Sequence, residues 1–500
     1  MRIELEKFPY KYMEYEKILL ERELQCCFTG AEIEINKNEI ILNNVMENDL
    51  EKLQYLTYIC SYSIAGETYN TLQAKLEYSS LKKVDLKRQG TRYSTHGLHE
   101  YKGKYNPQIV HGVLDILGVP LNAKVLDPFC GSGTTMVECA HYDMQSVGTD
   151  INPMAVFLSN TKVNSLKLEV QHIRTLVKQI AECVENKKTL MDEYDKNDLR
   201  MLYLSKWIPK DTLCLIERLK ETFELEAKET SDFLKVTVSD LIRDYSNQEP
   251  SDLRIRKRTS PFPTIPFIQA WINNVYKYLD AIEGVQKIKS YDVKNNYAVL
   301  QDIRKGADFL GQEEFDVIMT SPPYATALPY IDTQRISLIW LGFCSPNEIM
   351  MLESSLIGSR EFVSNEKKKW LDEFNLNMQE LPPEIISLVK ELYEGLSDKD
   401  GFRKQAVPIL LYRYFTDMKR MFDNTYGVLK KKGKFALVVG NNKTTIGGKT
   451  HVIDTPYWLA KLSESSGWKV DELLPLQTYK RYGINSKNAI NSETLIILQK

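Results

Sequence analysis

The sequence predicts an α/β protein: a doubly wound, Rossmann-like parallel sheet with a helical insertion and a small N-terminal α+β unit. Three observations predict it. Short apolar runs at Ala123–Asp127 and Gln145–Asp150 alternate with helical patterns, the β-α-β-α opening of such a sheet. A Gly-rich turn follows the first run, at the strand end where open α/β sheets bind ligands. The alternation resumes at Tyr297–Leu300 and Phe315–Met319, after residues 162–290 read as amphipathic helix.

Five hundred residues is too long for one ordinary domain. The chain is 43% hydrophobic and 26% charged, so a sizeable core is possible and global disorder is excluded. Its net charge of -2 neither demands nor excludes a polyanionic partner, because a nucleic-acid face can be local. No apolar run approaches the roughly 20 residues of a membrane helix. Met1-Arg2-Ile3-Glu4-Leu5-Glu6 opens without the apolar stretch of a signal peptide. Eight cysteines form no C-x-x-C pair and six histidines show no ligand spacing. A reduced, cytoplasmic chain with no metal is therefore expected.

Residues 1–88 read as the N-terminal unit. Lys11 to Leu24 has helical spacing, Glu32 to Leu42 reads as a hairpin around Asn36-Lys37-Asn38, and a further helix is expected from about Leu50. Lys82 to Lys104 holds seven cations against two acids, a charge of +5 suited to phosphate contact. His96 and His99 lie in that stretch and are expected at the surface or on phosphate. Residues 89–161 follow as the first part of the sheet domain. Asn152-Pro153 opens a helix there, Asn for the cap and Pro for the first turn.

The insertion, 162–290, shows amphipathic patterns at Val170–Glu185, Thr212–Glu226, Asp232–Asp244 and Ile268–Ile288. Between the last two lie Arg254, Arg256, Lys257 and Arg258, four cations in seven residues, followed by the Pro-rich Ser260–Pro266. The sheet domain continues over 291–344. A polar, variable region spans 345–405 and is a candidate for target recognition. The last part, 406–500, holds strands at Phe435–Val439 and Thr494–Leu498.

Two motifs carry chemistry. Asp127-Pro128-Phe129-Cys130-Gly131-Ser132-Gly133-Thr134-Thr135 lets a ligand approach the backbone closely. It lacks the Lys of a phosphate loop and the third Gly of a dinucleotide fingerprint. Asp150, 23 residues after Asp127, ends the next strand and is placed to accept both hydroxyls of a ribose. Ser321-Pro322-Pro323-Tyr324 follows the Phe315–Met319 run. Two prolines hold that chain extended and remove backbone donors, leaving carbonyls free. A hydroxyl and a carbonyl then accept the two hydrogens of an exocyclic amine, and Tyr324 offers a ring on which a base stacks. Arg335, just downstream, is a candidate for a phosphate beside that base.

These motifs resemble those of S-adenosylmethionine-dependent DNA amino-methyltransferases, and the Ser-Pro-Pro-Tyr form resembles the N4-cytosine branch. The resemblance covers roughly 95–160 and 295–345, with looser support over 430–500. It implies a methyltransferase sheet with S-adenosyl-L-methionine as cofactor. Asp127 to Gly133, with Thr134, is similar to the methionine-contacting motif; Asp150, beside Ile151, to the ribose acid; and Asp302 to the polar residue near the adenine. Glu100 to Gln108, with Lys104 and Tyr105, resembles the segment that wraps the methionine end. Gly440 and Asn441 fall at the target-base pocket. The implied partners are DNA and a cognate restriction or defence component. The helical insertion between the ribose acid and the tetrapeptide departs from the common plan. N6-adenine methylation, tRNA guanine-N2 methylation and a non-catalytic nucleic-acid-binding role are the alternatives the residues leave open. An acid or amide before Pro-Pro-Tyr would favour RNA, and Ser321 favours DNA.

Overall fold

The computed structural model describes residues 1–36, 39–79, 88–186, 197–325, 329–363, 366–477 and 492–500. Lys82, Lys83 and Lys87 of the basic stretch, and Lys37-Asn38 of the expected hairpin turn, lie outside the described residues.

The chain opens with an antiparallel sheet of β1 (Ile3–Glu6), β2 (Glu32–Ile35), β3 (Glu39–Asn43), β4 (Ser61–Ile64) and β5 (Glu67–Asn70), in the order β2-β3-β1-β4-β5. Helix α1 (Glu14–Cys27) packs beside it, and α2 (Leu72–Ser79) follows. Where the sequence suggests a helix from Leu50, the chain forms a short 3-10 stretch, Glu47–Tyr55, and then the β4–β5 hairpin. Every residue of β5 is exposed, so that strand carries no apolar period to read.

Helix α3 (Pro107–Ile116) leads into β6 (Lys124–Asp127), α4 (Thr134–His141), β7 (Gln145–Asp150) and α5 (Pro153–Ser165). The Asn106 and Asn152 side chains cap α3 and α5, each with Pro at the first turn. The insertion supplies α6 (Val170–Asn186), α7 (Leu199–Trp207), α8 (Lys210–Phe223), α9 (Lys228–Ile242) and α10 (Phe267–Gln286). They bury their own core, including Phe223, Phe233 and Trp271. The Trp271 indole N–H donates to Thr237 Oγ1 at 3.0 Å, so its polar edge is satisfied.

The sheet resumes with β8 (Asn296–Leu300) and β9 (Phe315–Thr320). Helices α11 (Arg335–Leu341), α12 (Ile349–Ser355), α13 (Glu366–Leu376), α14 (Pro383–Glu394) and α15 (Phe402–Val428) follow. The chain ends with β10 (Leu429–Gly440), a ribbon of β11 (Asn442–Ile446) and β12 (Lys449–Ile453), α16 (Thr455–Ser465), β13 (Lys469–Gln477) and β14 (Ser492–Gln499).

The main sheet runs β13-β14-β10-β9-β6-β7-β8. Strands β10, β9, β6, β7 and β8 are parallel, and β14 lies antiparallel between β10 and β13. Alternate residues feed opposite cores, as the pleat requires. Val125, Val317, Met319, Ala436 and Val438 face the N-terminal unit and α3, whereas Leu126, Ile318, Leu437 and Val439 face α15 and α16. The chain winds outward from β6 through β7 to β8, then returns to β9 on the other side of β6. The crevice at the carboxyl ends of β6 and β9 is therefore the topological switch point, where such sheets place ligands.

Candidate cofactor and acceptor site

The turn after β6 is shaped by two glycines with left-handed backbone, Gly131 at φ +48 and Gly133 at φ +83. A Cβ on Gly133 would lie 2.4 Å from Ser159 Oγ on α5, so only glycine lets the turn and that helix meet. Asp127 is fully buried and accepts three hydrogen bonds: Phe129 N–H and Thr320 Oγ1–H on Oδ1, at 3.0 and 2.6 Å, and Thr135 Oγ1–H on Oδ2 at 2.5 Å. Burial pushes its carboxyl up to about 6 against those bonds. Asp127 thus fastens β6, α4 and β9 together rather than presenting a free carboxylate to a ligand. Pro128 accepts from Thr149 Oγ1–H at 2.9 Å, Phe129 packs on the α15 side, and Thr134 opens α4.

Asp150 ends β7. Its Oδ2 accepts from Gly131 N–H at 3.1 Å and its Oδ1 from Asn152 N–H at 2.8 Å. Each oxygen keeps a lone-pair direction, and the residue is only partly covered, so the pair of acceptors fits the hydroxyls of a ribose diol. Burial pushes this carboxyl also up to about 6. Ile151 lies partly buried beside the insertion's core. Asn152 Nδ2–H donates to Gln334 Oε1 at 3.0 Å, tying the ribose acid's loop to the chain after the tetrapeptide.

Several expected cofactor contacts are used elsewhere. Lys104 Nζ–H donates to the His96 carbonyl at 2.9 Å; burial, and then Arg92, lowers it to about 8. The segment over Thr91–Gly97 folds back onto that lysine and takes its charge. Tyr105 hydrogen-bonds Thr135, extending the Asp127 network. Tyr101, from the same stretch, stands over the turn: a Cβ on Gly131 would touch its ring at 3.4 Å. Its hydroxyl is hydrogen-bonded with Gln334. Asp302 follows β8 and is gripped by Arg304, Nε to Oδ1 at 2.8 Å and Nη2 to Oδ2 at 2.9 Å. Burial would raise it, but these bonds and the Arg304 charge hold it below its ordinary value.

Ser321-Pro322-Pro323-Tyr324 leaves the end of β9 directly after Thr320, the residue that binds Asp127. The Tyr324 hydroxyl donates to Glu493 Oε1 at 2.5 Å, near the start of β14. Burial, followed by the Glu493 charge, raises that phenol well above its ordinary value, so it stays neutral. Gly358, at φ +74, lies so close to Tyr324 that a Cβ would come within 2.3 Å of its carbonyl oxygen. Asn442 Nδ2–H donates to the Ala325 carbonyl at 2.9 Å, so the end of β10, with Gly440 and Asn441, adjoins the tetrapeptide loop.

The cations divide. Arg254, Arg256 and Lys257 are exposed, Arg256 beside Asp252 at 3.4 Å. Arg258 is different. Its guanidinium donates to the carbonyls of Asp244, Ser246, Ser260 and Pro261 and lies 4.4 Å over the Phe262 ring. It braces the loop and is not the phosphate contact the run suggests. Arg335 is ion-paired with Asp332, three residues earlier, and its side chain is 20% exposed. Arg360 is lowered by burial and then by the charges of Arg254 and Arg403. Three segments far apart in sequence thus place charges that act on one another, Arg360 lying two residues from Gly358, which touches Tyr324.

Tyr101, Gln334, Gly358 and Glu493 escaped the sequence reading. Tyr101 carried a signal, an aromatic three residues before Lys104 in the stretch already singled out, and Gln334 directly precedes Arg335. The others reach the site from elements joined only by the fold.

The mixed sheet with its parallel strands is consistent with a Rossmann-like methyltransferase fold, and the similarities that follow support S-adenosyl-L-methionine as its cofactor. The DNA methylase family model matches residues 11–160, from the N-terminal unit through the Gly-rich turn and Asp150 into α5. The type II methyltransferase M.MvaI of Kocuria varians is 22% identical over 381 residues, 70% of this chain and 78% of that protein. M.BsoBI of Geobacillus stearothermophilus is 22% identical over 443 residues, 81% of this chain and 84% of that protein. M.MjaII of Methanocaldococcus jannaschii is 25% identical over 206 residues, 38% of each. These likenesses support a DNA amino-methyltransferase. Among the described residues, no helix is long and apolar enough to cross a membrane.

Proposed function

We propose that the chain methylates the exocyclic amine of a base flipped out of DNA, N4 of cytosine, as the modification enzyme of a restriction or defence pair. The observation that carries this is the Thr320–Asp127 hydrogen bond. It joins the strand that delivers Ser321 to the strand that delivers the Gly-rich turn, so methyl donor and amine acceptor sites share one support. Asp150 and the backbone of Gly131 and Gly133 would hold the cofactor, with Tyr101 over the turn.

An aromatic amine is a poor nucleophile because its lone pair is delocalised into the ring. The Ser321 hydroxyl and the Pro322 carbonyl accept its two hydrogens and favour the pyramidal geometry of transfer, a binding gain specific to the transition state. The bound cofactor supplies an already activated sulfonium methyl, so in-line positioning by these two supports does much of the rest. Tyr324 stacks the base, its ring fixed by Glu493. A base inside a duplex is out of reach, so it must be extruded. Arg254, Arg256 and Lys257, with Arg360 and Arg403 nearby, supply the positive surface for the phosphates.

Transfer of a labelled methyl group from S-adenosyl-L-methionine to plasmid DNA tests this reading. Ser321→Ala should lower turnover at unchanged cofactor affinity. Equal turnover in that variant would remove Ser321 from the mechanism.

A further inference from the structure

The sequence placed His96 in an exposed linker, but it is 2% exposed. It sits on the 3-10 turn Ser94–Gly97 and points at α4. Glu138 and His141 lie three apart on that helix, on one face, and are 1% and 0% exposed. One ligand atom from each of the three residues lies within 4.8 Å of the others. His96 Nε2 is 2.7 Å from Glu138 Oε1, which also accepts from the Tyr93 hydroxyl at 2.8 Å. The Tyr291 hydroxyl fixes His141 Nδ1 at 2.9 Å. Glu138 Oε2 and His141 Nε2 are buried with no hydrogen-bond partner. Two orphaned polar atoms in one buried cluster would each cost about 1–3 kcal/mol, so the cluster calls for a partner.

We propose that His96, Glu138 and His141 bind a structural zinc ion. Two imidazoles and a carboxylate are a zinc donor set. Ligand atoms about 2.0–2.2 Å from zinc in a tetrahedron lie roughly 3.4 Å apart, so the three side chains would reach it by small rotations, with the His96–Glu138 hydrogen bond opening. Tyr291 on the far nitrogen of His141 is the outer partner that aims such a ligand. Burial keeps both imidazoles neutral, as ligation requires. Lys104 and Lys162 on the His96 side and Lys289 on the His141 side oppose a cation; burial pushes the Glu138 carboxyl up to about 8, so zinc would displace its proton on binding. The ion would staple the segment leading into Glu100–Gln108 onto α4, the helix that the Gly-rich turn leads into. Of the two such clusters among the described residues, the other, Glu23, His111 and Asp115, leaves one orphaned atom, His111 Nε2, and engages both Glu23 oxygens: Glu23 accepts from Thr57 N–H and Tyr58 N–H, and His111 Nδ1 meets Thr57.

The test uses the full chain, stripped with a chelator and titrated with zinc chloride by calorimetry, with metal content measured after dialysis. One retained equivalent per chain and a raised Tm are expected. Glu138→Gln and His141→Gln should lose that equivalent, while the exposed-histidine variant His172→Gln should keep it. A stripped wild-type chain that is folded by circular dichroism yet takes up no stoichiometric zinc overturns the proposal. So does an equivalent that persists in His141→Gln, or one lost in His172→Gln.

Discussion

Asp127→Asn separates the structural role of that carboxylate from its charge. The amide is isosteric: its oxygen still accepts from Phe129 and Thr320, and the Thr135 hydroxyl turns to accept from the new NH2. Only the buried charge disappears. Burial raises Asp127 from 3.8 to about 6. A raised carboxyl contributes stability that is fully present below the unfolded pKa and lost as pH rises through the folded one. The shift of about two units corresponds to roughly 3 kcal/mol over the whole titration, of which about 1.4 kcal/mol falls between about pH 5 and pH 8. Urea denaturation of both proteins without cofactor at those two pH values reads this directly. Relative to wild type, Asp127→Asn should be about 1.4 kcal/mol better off at the higher pH than at the lower. A difference that stays constant across the range refutes the buried-charge reasoning.

Three further outcomes are expected. Asp150→Ala should weaken S-adenosyl-L-methionine binding by roughly 1.5–3 kcal/mol, the range for charge-assisted hydrogen bonds, measured by calorimetry; unchanged affinity would move the cofactor elsewhere. Tyr324→Ala should cost about 1–3 kcal/mol of base stacking, seen as weaker binding of DNA containing an extrudable base, with cofactor affinity intact. Neutralising Arg254, Arg256 and Lys257 should flatten the salt dependence of DNA binding on a log–log plot, by up to about 0.9 for each phosphate left without its cation, whereas Arg258→Ala should lower Tm and leave that slope unchanged.

The strands of the main sheet were legible because they are buried on both faces: Val125-Leu126, Val317 to Met319 and Phe435 to Val439 read as continuous apolar runs. The β4–β5 hairpin was not, because its partly or fully exposed residues follow neither period. At the site, the Gly-rich turn, Asp150 and the tetrapeptide stood out because close backbone approach and donor-free carbonyls demand particular residue types. The partners of side chains did not. Asp127 reads as a ligand contact until Thr320, 193 residues later, is seen to occupy it. Lys104 and Arg258 read as free cations until carbonyls brought in by local folding accept their hydrogens. His96 reads as surface until Glu138, 42 residues on, closes over it.

The central claim is that Ser321 and Pro322 activate an amine on a DNA base. Mass spectrometry of nucleosides from DNA incubated with the protein and S-adenosyl-L-methionine tests it most directly. The account predicts N4-methylcytosine; N6-methyladenine would overturn the choice of base, and methylated RNA beside untouched DNA would contradict the account.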